Sequence, residues 1–200
     1  MKRKKTLNRR KRALHRLALA VLALLAVNYT VHTGYLLPIQ AVHDYAQRHG
    51  LPHCTVITRL RPAGEDEEAG LLYVSAGNNA VYVTDVRHWI FGWNGIHGAA
   101  ADCSGDETVH MNWLDWDGSV AFFGRVETAA AARVEVALQR ESEQLIFTID
   151  DFWEKDGQRY ILSFMDWDFR AALPDAYTIT ATVYSSSGEA LEQHDLSRGA

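Results

Sequence analysis

From Arg133 to Leu196 apolar and polar side chains alternate almost one for one, and this period of two constrains the fold more than any other feature of the chain. Val134, Val136 and Leu138 alternate with Arg133, Glu135 and Gln139, and Leu145, Phe147 and Ile149 repeat the pattern. So do Tyr160, Leu162 and Phe164, while Tyr177, Ile179, Ala181 and Val183 face away from Thr178, Thr180 and Thr182. Successive side chains of an extended strand point to opposite faces, so each run reads as a strand with one buried side. Turn sequences at Lys155-Asp156-Gly157 and Ser185-Ser186-Ser187-Gly188 punctuate them, and Ala190–Leu196 supplies a last strand. Short alternating strands at this spacing predict an antiparallel, immunoglobulin-like β-sandwich over residues 128–200.

The segment 51–127 is also β-rich. Strands are expected over Cys54–Leu60, Leu71–Ser75, Ala80–Val86, Thr108–Leu114 and Ser119–Val126. An acidic loop, Arg61 to Glu68, interrupts them, and an aromatic segment, His88-Trp89-Ile90-Phe91-Gly92-Trp93, leads into a Gly- and Ala-rich stretch through Gly105. The last two strands form a hairpin around Asp115-Trp116-Asp117-Gly118, because Asp-Gly favours tight turns. The alternation is compatible with two domains or with one continuous sandwich. Before it, Pro38 opens a short helix through residue 50, with Ile39, Val42 and Ala46 on one face. It reads as a juxtamembrane stalk.

The juxtamembrane reading follows from the amino terminus. Residues 1–16 hold nine Lys or Arg and no acid, so residues 17–200 carry 11 basic against 25 acidic groups, a net of −14. A body so acidic lacks the basic face that phosphate binding needs, and nucleic acid is not expected as a partner. Leu17 to Leu37 contains no Asp, Glu, Lys or Arg. As a helix, 21 residues rise roughly 30 Å, the thickness of a bilayer's hydrocarbon layer. Only Leu17–Val27 is continuously apolar, which also fits the core of a signal peptide. No good cleavage site of small residues closes that core, so an uncleaved transmembrane anchor over 17–37 is preferred to a cleaved signal. Cationic flanks stay on the cytoplasmic side. The expectation is a single-pass protein of the cell membrane, with residues 1–16 cytoplasmic and residues 38–200 outside.

Cys54 and Cys103 both fall on that outer side, where an even number of cysteines reads first as a disulfide. The rival readings are unpaired buried thiols and a nucleophile beside His53, His97 or His110. The Asp pairs 115/117 and 166/168 invite a calcium reading, but neither continues into a complete loop with its distant Glu, so no metal site is assigned. The sequence holds no His-Glu-x-x-His, no Gly-x-Ser-x-Gly, no phosphate loop and no Gly-x-Gly-x-x-Gly. No catalytic residue and no cofactor is therefore predicted. Six tryptophans, all beyond residue 88, leave room for an exposed platform that stacks a sugar or anchors a protein partner. Trp116 and its neighbours Asp115 and Asp117, in the predicted turn, are the candidate ligand-binding residues.

Phe123-Gly124-Arg125-Val126, Val134-x-Val136 and the ending Tyr177-Thr178-Ile179…Tyr184…Gly188…Leu191, together with the basic anchor, resemble small uncharacterised membrane-anchored proteins of Gram-positive bacilli. The resemblance spans residues 70–196 and rests on strand patterning. It implies an extracytoplasmic β-domain and brings no catalytic residues with it. The expected function is a non-catalytic module that binds an extracytoplasmic protein, with a carbohydrate- or wall-polymer-binding module as the alternative and an envelope hydrolase behind both.

Overall fold

The computed structural model describes residues 2–31, 34–61, 70–89, 92–116, 119–140, 143–166 and 177–197. It is mainly β with antiparallel sheets, as the alternation predicts. Two helices come first, α1 (Lys2–Val31) and α2 (Pro38–Arg48). Among the described residues twelve strands then make three four-stranded sheets. The first sheet holds β1 (Thr55–Leu60), β2 (Leu71–Ala76), β3 (Ala80–Trp89) and β4 (Gly92–Asp102), side by side in chain order. The middle sheet is ordered β5 (Val109–Trp116), β6 (Ser119–Val126), β10 (Gln158–Asp166) and β9 (Trp153–Lys155). The outer sheet is ordered β12 (Ala190–Asp195), β11 (Thr178–Ser185), β7 (Ala131–Arg140) and β8 (Glu143–Ile149).

Strand parity stacks these sheets. On β6, Val120, Phe122 and Val126 join one apolar cluster while Ala121 and Phe123 join another; on β10, Ile161 and Met165 oppose Tyr160 and Leu162 in the same way. The first cluster is completed by Val134, Val136, Leu138, Ile179, Ala181 and Val183 of the outer sheet. The second is completed by Leu72, Val74, Val81 and Val83 of the first sheet. The other face of the first sheet, with Leu71, Tyr73, Tyr82 and Val86, packs against Ala41, Val42 and Ala46 of α2. The layers therefore run α2, first sheet, middle sheet, outer sheet. A strand buried on both faces has no polar side, which is why Val120 to Phe123 reads as an unbroken apolar run. Each large side chain so buried contributes roughly 1.5–3 kcal/mol relative to exposure.

Two expectations change, and of the two arrangements left open for residues 51–200 the strands follow the continuous one. The boundary at residue 127 falls between strands of one stack: β6 pairs with β10 from Ser119–Asp166 to Val126–Arg159, so 51–127 and 128–200 share the middle sheet. The helix at residues 38–50 is not a stalk but the top layer. Its Leu37 amide donates to Gln40 Oε1 at 3.1 Å, and its buried face is Ala41, Val42, Tyr45 and Ala46. The uncharged stretch 17–37 is not one helix either. α1 ends at Val31, and Tyr35 already belongs to the body, exchanging backbone hydrogen bonds of 2.8 Å in both directions with Trp93. Among the described residues no helix is long and apolar enough to cross a membrane.

β4 was not expected, because Gly92-Trp93-Asn94-Gly95-Ile96-His97-Gly98-Ala99-Ala100-Ala101 lacks the bulky alternation of a strand. Its small residues have a packing cause. A methyl group on Gly95 would meet Tyr45 Cβ at 2.8 Å, and one on Gly98 would meet Tyr45 Cε1 at the same distance. Glycine in a strand here marks the close approach of α2.

Candidate functional site

Trp116 is buried. β5 runs on past the predicted turn start and its last residue pairs with Ser119, so Trp116 is a strand residue facing the first sheet. Its ring is 6% exposed and lies against Phe164, with centroids 5.6 Å apart. Asp115 is exposed and, one residue away on a strand, points to the opposite side. Asp117 lies outside the described residues, as do Trp167 and Asp168. Trp116 and Asp115 thus do not share a surface, which corrects the expected exposed platform. Trp113 is buried and its indole Nε1 donates to Leu196 O at 3.0 Å, while Trp93 and Trp153 are half-buried. Among the described tryptophans Trp89, at the end of β3, is the exposed ring, at 59%.

The expected disulfide is also corrected. Cys54 and Cys103 are free, buried thiols on opposite faces of the first sheet. Cys54 packs with the α2 layer and lies 3.7 Å from Ala80 O; Cys103 packs toward the middle sheet and lies 3.6 Å from Ala101 O. A bridge requires Cβ atoms about 4 Å apart with converging vectors, which opposite faces of a sheet do not offer. Burial pushes both thiols above their ordinary range, and for Cys103 the Arg125 charge offsets this only in part. The thiolate is the nucleophile, so neither group is poised for chemistry. Iodoacetamide at pH 8 is expected to modify the native protein at less than a tenth of the rate seen in urea, read by mass spectrometry. Equal rates in the two states would contradict the burial of both thiols.

The polar group that the structure does assemble lies between the first and middle sheets. Arg125, on β6, donates through Nη1 to Gly77 O at 2.9 Å and Asn78 O at 2.8 Å, and through Nη2 to Cys103 O at 3.4 Å. Its Nε pairs with Glu127. Beside it, His110 has a fully buried side chain, with Nδ1 2.9 Å from Glu107 Oε2 and Nε2 3.9 Å from Glu127 Oε1. Ser104 donates its hydroxyl and amide to Asp102, holding that exposed carboxyl below its usual range. The chemistry of this arrangement is mechanical. A planar five-donor fork spends its hydrogen bonds on backbone carbonyls and one carboxylate, and so fastens the β2–β3 turn and the end of β4 to the middle sheet. The sequence carried one signal of it, an arginine inside the otherwise apolar run of β6.

A second polar fastening joins the middle sheet to the outer one. Glu192, on β12, accepts from both the amide and the hydroxyl of Thr108, and His194 Nε2 lies 3.4 Å away. Burial alone would raise the Glu192 carboxyl, but the Thr108 donors and His194 outweigh it and leave it below its usual value. A carboxyl depressed in the folded state adds stability above its unfolded pKa, near 4.5, and loses it as pH falls through the folded value. Thr108→Val is therefore expected to flatten the acid limb of a Tm–pH curve between pH 5 and pH 3, as followed by circular dichroism. An unchanged acid limb would contradict this coupling.

Among the described residues no group of three or more His, Cys, Asp or Glu side chains is placed to hold a metal ion. The chain matches no family model, no curated protein and no solved structure.

Proposed function

We propose that the protein is a membrane-held β-domain displayed outside the cytoplasm, where it binds a protein or envelope component without catalysis. The observation that carries this reading is α1. Its Leu17, Leu19, Leu22 and Leu24 are each more than half exposed, on every side of the helix, directly after nine cationic residues. Apolar surface of that kind in water is unfavourable at about 25 cal/mol per Å² and calls for a non-aqueous covering. The continuous apolar run is shorter than a full span; flanking arginine stems that snorkel and local thinning of the bilayer accommodate such a mismatch at modest cost. The cationic end sits in the cytoplasm and the body beyond Val31 lies outside.

In this reading the middle and outer sheets act as an immunoglobulin-like sandwich, and the outward face of the outer sheet is the surface it offers. That face carries Thr180, Thr182, Glu135 and Arg133, the last lying 4.6 Å over the Tyr184 ring. The likeness to anchored proteins of Gram-positive bacilli belongs to the same proposal. Glycan binding is the alternative; with Trp116 buried, Trp89 is the exposed ring it would use among the described tryptophans. Protease shaving of intact cells tests the topology. Loss of the folded body with retention of the cationic tail is the expected result, and a fully protected body would reject it.

A further inference from the structure

We propose that the Trp89 and Gly92 end of the β3–β4 hairpin and the Leu36–Leu37 step form a second membrane contact, seated in the headgroup layer beside the end of α1. This rests on the reading of α1 as the membrane-held element. The first observation is chain length. Three Cα steps separate Val31, the last residue of α1, from Gly34, and at 3.8 Å each they span at most about 11 Å. The second is a clasp. Tyr35 and Trp93 exchange two backbone hydrogen bonds of 2.8 Å, so the strand that begins at Gly92 is fixed to the chain as it leaves the helix. Gly34 and Gly92 sit face to face in that clasp; a methyl group on Gly34 would meet Gly92 C at 2.9 Å, and one on Gly92 would meet Tyr35 O at 2.5 Å. Both glycines have positive φ, 157° and 138°, so the close approach belongs to glycine at each position.

The third observation is what the clasp leaves uncovered. Leu36 is 71% exposed, Leu37 56% and Trp89, paired with Gly92, 59%. Single exposed apolar side chains are ordinary, but two leucines and an indole gathered around one covalent tether are not scattered. Covalent geometry supplies the occupant. The continuous apolar run ends at Val27, about 6 Å of helix before Val31, so the clasp lies within roughly 17 Å of the hydrocarbon, a reach that lets it fold back onto the headgroup layer, roughly 6 Å deep. Tryptophan partitions to that layer because its ring is apolar and its N–H is polar. A body held at one point swivels; one held also at Trp89 and the two leucines presents its outer sheet at a set angle to the membrane.

The full-length protein, reconstituted in phosphatidylcholine–phosphatidylglycerol vesicles containing a lipid brominated near the headgroup, tests this. Co-flotation with the vesicles is scored in the same samples. The expected result is that bromolipid removes roughly a sixth of the tryptophan emission, one ring of six, and that Trp89→Phe abolishes the loss. Trp89 is exposed, so the substitution leaves the fold intact. Flotation with no Trp89-dependent quenching overturns the second contact and leaves the anchoring reading standing. Failure to float overturns both.

Discussion

Phe122→Ala is expected to cost about 4 kcal/mol and to lower Tm by roughly 10 °C, while Thr182→Ala, on the outward face of the outer sheet, changes stability by less than about 0.5 kcal/mol. The contrast follows from the layers. Phe122 is fully buried between the middle and outer sheets, its ring stacked on Phe147 with centroids 5.7 Å apart and its strand position opposite Trp113. Removing the ring leaves a cavity between two sheets that are each tied by ladders of backbone bonds and so collapse little into it. Thr182 belongs to a strand whose Ala181 and Val183 do the packing. Thermal unfolding of the detergent-solubilised full chain reads both. A Phe122→Ala effect below about 1 kcal/mol would mean that the two sheets do not meet there.

Arg125→Met is expected to cost about 3 kcal/mol, with Arg125→Lys recovering less than half of that. The guanidinium is only slightly exposed and serves three carbonyls and Glu127 from one planar group. Met fills the volume but leaves those acceptors without donors between two sheets. Lys restores the charge but reaches in one direction at a time. Urea unfolding of the three proteins, with equal slopes, gives the comparison; a Lys variant as stable as the wild type would mean that charge alone, and not the fork, matters at this position.

Much of this architecture was legible in the chain, for identifiable reasons. Where one face of a strand meets water, as in β7 and β11, polar and apolar side chains alternate and the strand can be read directly. The turn at Asp156-Gly157 was equally plain, and both residues take the positive φ, 52° and 75°, that Asp-Gly favours. The stack itself was not legible. A strand buried on both sides, such as β6, shows no alternation, so nothing in it says that two different sheets cover its faces. β4 was hidden because its glycines answer to Tyr45, some 50 residues earlier. Trp116 was misplaced for the same kind of reason: Asp-Trp-Asp-Gly looks like a four-residue turn, yet only register with Ser119 shows that the strand reaches the tryptophan. The cysteines illustrate the limit of counting. Two thiols outside a membrane suggest a bridge, and only the sheet between them shows why none forms.

The Arg125 fork and the Glu192 fastening hold layer to layer. Rigidity of this kind suits the proposed display of a surface, and the leucines exposed on every side of α1 are what the membrane reading rests on.

Alkaline carbonate extraction of membranes from cells making the full-length protein tests that most directly. The chain is expected to stay with the pelleted bilayer at high pH, as a lipid-embedded helix does; quantitative release into the supernatant would mean that α1 is not seated in the membrane.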